Sequence, residues 1–484
     1  MTQTTDLRGI VPERGSRNGS GGLALAVILL GQFMAMLDVS IVNVALPTMR
    51  ADLGASGAGL QLVAVGYTIS YAVLLITGAR LGAIAGHRRL FHLGLAGFTA
   101  ASLACGLAPS TGALVVFRFV QGAAAALLTP QVMSMIQRDF TGAARARALG
   151  IYSAVIAGGV VVGQAAGGLL VGADVLGTGW RPVFLVNVPL GVALLLAGPR
   201  VLPRDGAPAR TGRPREELDV RGLLTLAVAV LLFTVPLIMG HELGWPPWGW
   251  VSLAASAAFM AAFVVLQRRT GAAGGRPLIS PRVLRAPLLV PACVVIVFGP
   301  GSWAAFLFST TFHLQGDLGM SPLESGLAFV PCVAAFGLAG LNWQRLPTRR
   351  HGRAVPAGLA LAAAGYLFVG PLAGGGPAYE VLIAVIGAGL GVMPVIMAVG
   401  LRHVPAADAA DASGLLLTVM QLAQVVGVAT VGTLFLALAE SGGSTRHAEY
   451  GTGWALAGAA LLGAVCALML ARRRAEAAVT VSSR

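Results

Sequence analysis

One acidic and one basic side chain stand deep inside apolar runs of this sequence, where charged residues are rarely found. Asp38 lies near the middle of the run 23–49, within the stretch AMLDVSIVNVALP, and Arg118 lies about two turns into the run 111–137. Gln121 follows Arg118 by three residues and therefore shares its helix face. A carboxylate at the centre of a bilayer costs roughly 2.5–3.5 kcal/mol on insertion scales. An acid kept at that cost can bind and release a proton where water reaches it.

Both charged residues also allow a structural interpretation. Asp38 can form a hydrogen bond that only ties neighbouring helices together, and Arg118 can extend its guanidinium group to the membrane surface. Acids inside membranes are functional by default, so proton exchange is the prediction for Asp38. An arginine nearby would hold this acid ionised until a ligand or a helix movement disturbed the pair.

Other kinds of chemistry lack the residues that they need. The sequence contains no Lys, so it can form neither a Walker-type phosphate loop nor a Schiff base. None of its seven His residues belongs to an H-E-x-x-H pair, and its four Cys residues lie far apart in separate apolar runs. A disulfide framework or a metal site is therefore not expected. We predict a protein that is not an enzyme, with no catalytic residue, no metal and no cofactor besides a proton gradient.

The elements that must position these residues are membrane-spanning helices. With 56% hydrophobic and 11% charged residues, the 484-residue chain has too little polar surface for a soluble body of its size. A hydrocarbon core of about 30 Å needs about 20 apolar residues in helical form. The sequence thus predicts an all-α integral membrane protein with 14 transmembrane helices in a lipid bilayer. The predicted spans are 23–49, 60–82, 89–108, 111–137, 145–171, 180–199, 220–240, 248–267, 287–312, 322–343, 354–371, 379–401, 412–439 and 452–471.

Arginines mark one side of this topology. Of the 33 arginines, 29 lie before the first span, after the last span or in alternate loops, and the other loops hold only Arg50, Arg181 and Arg446. By the positive-inside rule both termini are cytoplasmic, as an even number of spans requires. Because topology accounts for the formal net charge of +14, we predict no nucleic-acid partner. The acids assigned to the outer loops are Asp52, Asp174, Glu242, Asp317, Glu380, Glu440 and Glu449.

A long cytoplasmic loop divides six spans from eight. The segment ARLGAIAGHRRL from Ala79 resembles QRLPTRRHGRAV from Gln344, which pairs span 2 with span 10. Spans 1–6 then correspond to spans 9–14, which predicts two pseudo-symmetric six-helix bundles and an inserted helix pair, and repeated halves with a site between them are a common transporter plan. The predicted divisions are an N-terminal tail 1–22, a bundle 23–199, a linker 200–219, the inserted pair 220–267, a loop 268–286, a second bundle 287–471 and a C-terminal tail 472–484.

Small and aromatic residues suggest further contacts. Gly159, Gly163 and Gly167 recur every four residues in span 5, and Gly168 follows the last of them. Such a stripe lets a partner helix approach closely, either as static packing or as a contact that moves during transport. Aromatic residues of span 9 either line a cavity or pack toward lipid. The candidates for a substrate cavity are Gln121, Asn43, Trp303 and Phe306.

Together these residues resemble the fourteen-span drug:proton antiporter branch of the major facilitator superfamily. LDVSIVNVALPTM, from Leu37 to Met49, is similar to its first-span signature, and RFVQGAAAA, from Arg118, is similar to its fourth-span motif. Gly150 joins the four glycines in the spacing of the fifth-span antiporter motif. WRPVFLVNVPLG and SPLESGLAFVP also look like segments of this branch, so the resemblance covers nearly the whole chain. It implies that Asp38 binds the exchanged proton and that Arg118 takes part in proton coupling, in the cytoplasmic membrane of a bacterium.

Two segments depart from the family pattern. In the loop ARLGAIAGHRR, Ala83 and Ile84 replace the usual Asp and Arg, so the cytoplasmic gate is either loosened or held by other contacts, such as arginines against helix C-terminal ends. Gln164 replaces a common Pro in the antiporter motif, so that helix should bend less. The residues assigned to the gate loop are Arg80, Gly86, Arg88 and Arg89. Those assigned to the conformational motif are Gly150, Gly159, Gly163, Gln164, Gly167 and Gly168.

The resemblance implies export of a hydrophobic or amphipathic drug-like small molecule, such as an antibiotic, by alternating access in exchange for protons. The two departures keep open a facilitator or importer of the same fold without obligatory proton exchange. A membrane receptor or a lipid-modifying enzyme would need a soluble domain or a catalytic cluster, and the sequence has neither. The sequence specifies neither the substrate nor the oligomeric state.

Overall fold

The computed structural model describes residues 18–174, 177–205, 219–275, 277–342, 351–402, 404–405 and 408–482, and the regular elements in these ranges are all helical. The predicted tail up to residue 17, residues 206–218 of the predicted linker, residues 344–350 of the internal repeat and residues 483–484 lie outside these ranges. The helices are α1 Asn18–Leu53, α2 Gly57–Ala85, α3 His87–Gly106, α4 Thr111–Asp139, α5 Gly142–Gly172, α6 Pro182–Leu185, α7 Asn187–Val201, α8 Val220–Met239, α9 Pro247–Ala272, α10 Pro281–Leu284, α11 Leu289–Gln315, α12 Pro322–Ala328, α13 Val330–Asn342, α14 His351–Leu367, α15 Pro377–Leu390, α16 Met393–Leu401, α17 Ala409–Gly427, α18 Thr433–Gly442 and α19 Thr445–Ser482, with a π-helical turn Val428–Gly432 between α17 and α18.

Twelve helical segments of the described chain are long and apolar enough to cross a membrane. The prediction of an all-helical, multi-pass membrane protein is therefore confirmed. The two remaining predicted spans correspond to α3 and α14. The first turns of α3 are polar and basic, with the sequence HRRLFH, and the apolar part of α14 is short, Arg353–Leu367.

Three predicted spans are interrupted, and each interruption lies close to a proline. α6 and α7 meet at Val186, α12 and α13 meet at Phe329, and α15 and α16 meet at Gly391 and Val392. Pro189, Pro331 and Pro394 occupy the first turn of the following helix. Proline has no backbone N–H to donate, so it is accommodated best where a new helix begins.

The helices pack in a pattern that occurs twice. Helix α1 packs against α5 and α7, α4 packs against α2 and α3, and α3 packs against α7. In the same way α11 packs against α17 and α19, α15 packs against α13 and α14, and α14 packs against α19. We call α1 to α7 the first set and α11 to α19 the second set. Contacts between the two sets run from α5 to α12, from α2 to α17 and from α1 to α11. Helices α8 and α9 pack against each other, and α8 also touches α2.

Apolar side chains cover the outer surface of these helices. Val251 and Trp250 on α9 are 67% and 62% exposed, and Trp454 on α19 is 66% exposed. Large apolar side chains that face outward along spanning helices are suited to lipid, which cannot hydrogen-bond. The helical backbone satisfies its own polar groups, as a membrane environment requires.

Candidate functional site

The carboxylate of Asp38 is the centre of a buried polar cluster. Arg118 Nη1 lies 2.5 Å from Asp38 Oδ2, and Gln121 Nε2 donates to Asp38 Oδ1 at 2.7 Å. Asn187 Nδ2 donates to the same oxygen at 3.0 Å. These side chains come from α1, α4 and α7 and are at most 1% exposed. The structure therefore brings together Asp38, Arg118 and Gln121, as the sequence suggested, and adds Asn187.

The arginine is held by several further contacts. Arg118 Nε donates to the backbone oxygen of Val63 at 3.1 Å, and Nη1 also donates to Gln121 Oε1 at 2.6 Å. The guanidinium carbon lies 4.7 Å from the centre of the Tyr67 ring, a favourable cation–π distance. Gln121 Nε2 also reaches Ser102 Oγ on α3 at 2.9 Å. Because α2 and α3 contribute as well, five helices of the first set meet at this cluster.

The hydrogen-bond directions favour one charge state of Asp38 in this arrangement. Arg118 can only donate, and Gln121 uses its oxygen for Arg118, so its amide nitrogen faces Asp38. With Asn187 also donating, both carboxylate oxygens act as acceptors. These donors favour the ionised form of Asp38 beside the arginine, in a place removed from water.

The glycine stripe of α5 packs against the part of α1 that carries Asp38. A Cβ atom at Gly159 would lie 2.8 Å from Met36 Cβ, and one at Gly163 would lie 2.8 Å from the Leu37 backbone oxygen. A Cβ atom at Gly167 would lie 2.9 Å from the Ile41 backbone oxygen. These three glycines thus set the distance between two helices of the same set. Gly150, by contrast, has open space around it.

Gln164 and Gly168, which directly follow Gly163 and Gly167 on α5, lie on the side of the helix that faces the second set of helices. A Cβ atom at Gly168 would lie 2.6 Å from Leu323 Cα on α12. Gln164 is fully buried, and neither polar atom of its side chain has a hydrogen-bond partner among the described residues. α5 continues as one helix from Gly142 to Gly172. Three glycines of the motif, Gly159, Gly163 and Gly167, thus pack against α1, and Gly168 contacts the second set of helices.

The other predicted cavity residues are not part of the Asp38 cluster. Asn43 donates to the Val39 backbone oxygen at 3.4 Å and is partly buried. Trp303 stacks on Phe336 with ring centres 5.1 Å apart. Phe306 is fully buried, with its ring centre 5.5 Å from that of Tyr366. Two of these residues, Trp303 and Phe306, therefore pack against aromatic partners of the second set.

The predicted gate loop is organised by an acid that sequence reasoning did not single out. Arg88 N–H and Arg89 N–H, in the first turn of α3, donate to Asp205 Oδ1 at 3.1 Å and to Oδ2 at 3.3 Å. Arg138 Nη1, near the end of α4, lies 3.0 Å from Asp205 Oδ1. Gly86 has φ +100°, and a Cβ atom there would collide with the Asp205 carboxylate. The carboxylate of Asp205, from the segment after α7, thus caps the start of α3. It supplies an acid to the gate loop, in which Ala83 replaces the Asp that is usual in the family.

Two arginines of this loop bind backbone oxygens. Arg88 Nη2 donates to the Pro199 oxygen in the last turn of α7 at 2.6 Å. Arg80 Nη2 donates to the Pro277 oxygen at 2.6 Å, after the end of α9. Arg80 and Ala83 also line a cavity of about 1260 Å³ whose other walls include α9, the α10 region and Asp411. The arginine-rich loops after α2, α4, α7 and α9 therefore meet at one end of the molecule.

Replacing Asp205 by Asn is expected to lower the melting temperature of the detergent-solubilised protein near neutral pH. Burial raises the pKa of Asp205, but hydrogen bonds from Arg88, Arg138 and Arg89 lower this pKa more, and the net result lies below its usual value. Since the folded pKa is depressed, the carboxylate stabilises the fold above the unfolded pKa of about 3.9. This contribution is lost as the pH falls through the folded pKa. The free energy of unfolding is expected to fall by about 1 kcal/mol, which is the usual cost of removing a helix cap.

The matched control for this prediction is Asp139→Asn. Asp139 pairs with its own neighbour Arg138 at 2.7 Å. The free energy of unfolding of this variant is expected to lie within about 0.5 kcal/mol of the wild-type value, because exposed ion pairs usually contribute little to stability. Equal destabilisation by both substitutions, or a loss for Asp205→Asn that persists undiminished in acid, would contradict the capping role.

The structure corrects the placement of Glu449. The sequence assigned this acid to an outer loop because the predicted span 14 began at residue 452. In the structure α19 begins at Thr445, and Glu449 is 0% exposed. The helix starts about two turns earlier than predicted. Its first residue, Thr445, contacts His313 of α11, and α19 also packs against α14 and α18. At the other end α19 continues as helix to Ser482, through most of the predicted C-terminal tail.

Many apolar helices of spanning length, packed in a repeated pattern with a buried ion pair among them, are typical of multi-pass membrane transport proteins. The comparison with protein families then identifies the family. The chain belongs to the major facilitator superfamily, whose model matches residues 28–428. The resemblance to this superfamily is thus confirmed, and the chain is a transport protein. The fourteen-span branch and proton coupling stay predictions.

Several relatives are named as transporters, export proteins or resistance proteins. The chain is 38% identical to a probable actinorhodin transporter of Streptomyces coelicolor over 86% of its own length and 72% of that protein. It is 37% identical to the cephamycin export protein CmcT of Amycolatopsis lactamdurans, over 87% of this chain and 86% of that protein. It is 35% identical to the puromycin resistance protein pur8 of Streptomyces alboniger, over 94% of this chain and 92% of that protein.

Solved structures share the fold at low sequence identity. A peptide transporter POT in complex with sulfate matches with a TM-score of 0.67 and 18% identity, over 93% of this chain and 94% of that chain. A bacterial homologue of the human lysosomal transporter Spinster, in an inward-facing and unoccupied conformation, matches with a TM-score of 0.66 and 17% identity, over 95% of this chain and 98% of that chain. These matches bear on the fold alone.

Proposed function

We propose that this protein is a proton-coupled antiporter that exports hydrophobic or amphipathic antibiotic-like molecules across the bacterial cytoplasmic membrane by alternating access. Relatives with 35–38% identity carry names of antibiotic exporters and resistance proteins. The observation that carries proton coupling is the buried Asp38–Arg118 pair with its two amide donors. An ionisable group at this depth is a functional site by default.

The hydrogen-bond directions give protonation a mechanical effect. A protonated Asp38 carries an O–H that must donate, but Arg118, Gln121 and Asn187 all present N–H groups to it. Adding the proton to either oxygen therefore removes the charge attraction to Arg118 and sets at least one buried N–H group against an O–H donor, which is costly. The neutral acid favours a rearrangement that separates α1 from α4 and α7. Proton binding on one side of the membrane and release on the other can thus drive the alternation.

We propose fourteen crossings, arranged as two six-helix bundles with α8 and α9 inserted between them. α3 runs from Asp205 at the arginine-rich end to the neighbourhood of Leu185 at the opposite end, since a Cβ atom at Gly106 would lie 2.5 Å from Leu185. α14 ends at Leu367, and the turns that follow it carry Ala373, whose backbone oxygen lies 2.8 Å from His313 Nε2 near the end of α11. α3, and α14 together with these turns, thus reach the end of the molecule opposite the arginine-rich loops. With fourteen crossings and the positive-inside rule, both termini are cytoplasmic.

The proposal is tested in everted membrane vesicles of a drug-sensitive bacterial host, with puromycin, cephamycin and actinorhodin as probes. An imposed proton gradient is expected to drive accumulation of at least one probe, and a protonophore is expected to abolish it. One charge moving through 100 mV supplies about 2.3 kcal/mol, enough for a concentration ratio of about 50. A facilitator would only equalise the two concentrations, with or without the protonophore. Equalisation alone would rule out antiport in favour of that function.

A further inference from the structure

A second acidic side chain lies buried among the spanning helices, and the Asp38 cycle does not use it. Glu449 on α19 is 0% exposed, and neither of its carboxyl oxygens has a hydrogen-bond partner among the described residues. Asp38, by comparison, receives an arginine and two amide groups. A carboxylate without such partners is far too costly in apolar surroundings. Glu449 is therefore a neutral acid that carries a proton in this arrangement.

The neighbours of Glu449 come from two other helices. The Tyr379 ring on α15 lies 6.3 Å from the ring of His313 on α11, and His313 Nδ1 lies 2.9 Å from Thr445 Oγ1, one turn before Glu449 on α19. Thr310 lies one turn before His313 on α11. The side chains of Tyr379 and Thr310 are at most 2% exposed. Polar side chains from three helices are thus buried in one region, and the carboxyl oxygens of Glu449 have no hydrogen-bond partner there among the described residues. Such groups call for an explanation.

The position of this cluster repeats the position of the first one. The Asp38 cluster is built from α1, α4 and α7, and α1 packs against both of the others. Thr310, Tyr379 and Glu449 belong to α11, α15 and α19, and α11 packs against both of the others. In the twofold packing pattern these are the corresponding helices. Each half of the molecule therefore holds one buried acid at the meeting of the same three helices.

A line of ionisable groups connects Glu449 to the outer surface. His313 lies in the last turns of α11, with its ring centre 6.3 Å from that of Tyr379 and its Nδ1 atom 2.9 Å from Thr445 Oγ1. Asp317, exposed in the loop after α11, accepts a hydrogen bond from Arg446 N–H at 2.8 Å. These groups lie between Glu449 and the end of the molecule opposite the arginine-rich loops, which is the direction from which we expect a proton to arrive.

We propose that Glu449 is a second proton-binding site, which takes a proton from water at the Asp317 end and returns it there or to the transport pathway. The proton adds to one carboxyl oxygen, and no electron is transferred. This inference rests on the proposed antiport for its role in transport. The ionisable groups on the surrounding elements are Tyr379 on α15, His313 on α11, Asp317 in the following loop, Tyr366 on α14, Glu440 on α18, and Arg446, His447 and Tyr450 on α19 itself.

The test is infrared difference spectroscopy of the purified full-length protein between neutral and alkaline pH, without any substrate. A protonated carboxyl group gives a carbonyl stretching band that a carboxylate lacks. Glu449→Gln is expected to remove one such band, whereas Glu440→Gln, an exposed acid on the adjacent α18, is expected to leave it unchanged. Asp38→Asn is expected to leave it as well. An unaltered spectrum for Glu449→Gln would overturn the proposal.

A second variant keeps the test decisive if Glu449→Gln does not fold. Tyr379→Phe retains the acid and changes its surroundings, so the band is expected to shift rather than vanish, and a band that neither shifts nor vanishes would overturn the assignment. For the role in transport, Glu449→Gln is expected to make efflux depend less steeply on external pH. An unchanged dependence would overturn that role. Because the spectrum needs no transport, failure of antiport and failure of the Glu449 site give different results.

Discussion

Asp38→Asn is expected to abolish proton-driven efflux from proteoliposomes while any passive equilibration of substrate persists. The amide cannot exchange a proton, so the step that changes the interaction between α1 and Arg118 no longer exists. The substitution also leaves Arg118 as a buried charge without its carboxylate, and the loss of one partner of such a pair typically costs about 3–5 kcal/mol. The melting temperature of the variant is therefore expected to fall as well. Efflux and melting are measured on the same preparation.

Two further variants separate coupling from stability. Asp52→Asn changes an acid at the exposed end of the same helix, where it binds Trp180 and Arg181, and is expected to retain efflux. Replacing both Asp38 by Asn and Arg118 by Gln removes the unpaired charge and is expected to recover part of the melting temperature but no proton-driven efflux. Proton-driven efflux in either Asp38 variant would contradict the role of this residue.

Gly163→Val is expected to reduce both stability and efflux. A Cβ atom at this position would lie 2.8 Å from the Leu37 oxygen and 2.8 Å from Ser40 Cβ, on both sides of Asp38. Backbone cannot yield as a flexible side chain can, so α5 and α1 must move apart, and overpacking of this kind typically costs about 1–3 kcal/mol. The movement displaces Asp38 from Arg118 and Asn187, which reside on other helices. Melting in detergent and efflux in proteoliposomes measure the two effects.

Gly150→Val supplies the matched control for Gly163→Val. Both positions belong to the same motif and the same helix, but nothing lies within 4 Å of a Cβ atom at Gly150. This variant is expected to melt and to transport as the wild type does. A loss of efflux as large in Gly150→Val as in Gly163→Val would show that close packing on α1 is not what the stripe provides.

The sequence was sufficient for the parts of the site that depend on periodicity. The depth of Asp38 in its run and the three-residue spacing of Arg118 and Gln121 follow from counting along helices, and the structure places all three in contact. The close approach of some partner helix to α5 is likewise implied by the glycine spacing, and the structure identifies that helix as α1. Which helix each residue faces, however, depends on packing between distant segments, and residue order alone does not determine it.

The partners that were missed belong to elements with no distinctive local pattern. Asn187 stands in the quoted segment WRPVFLVNVPLG, but only the fold brings α7 beside α1. Asp205 follows the end of α7 in a polar segment, and its capping role requires α3 to begin next to it. Glu449 lies three residues before the apolar run 452–471 that predicts the last span, so the sequence places it in an outer loop. Only the packing of α19 against other helices shows that the helix begins earlier and buries this acid.

Proton release on substrate binding tests the central claim most directly. In weakly buffered detergent solution, a substrate identified by the vesicle assay is added to the purified protein and the pH change is followed with an indicator dye. If substrate binds the state in which Asp38 is charged, substrate binding makes the wild type release protons. Asp38→Asn is expected to release fewer protons, because residue 38 no longer carries one to release. Equal release by the wild type and by Asp38→Asn would contradict the account.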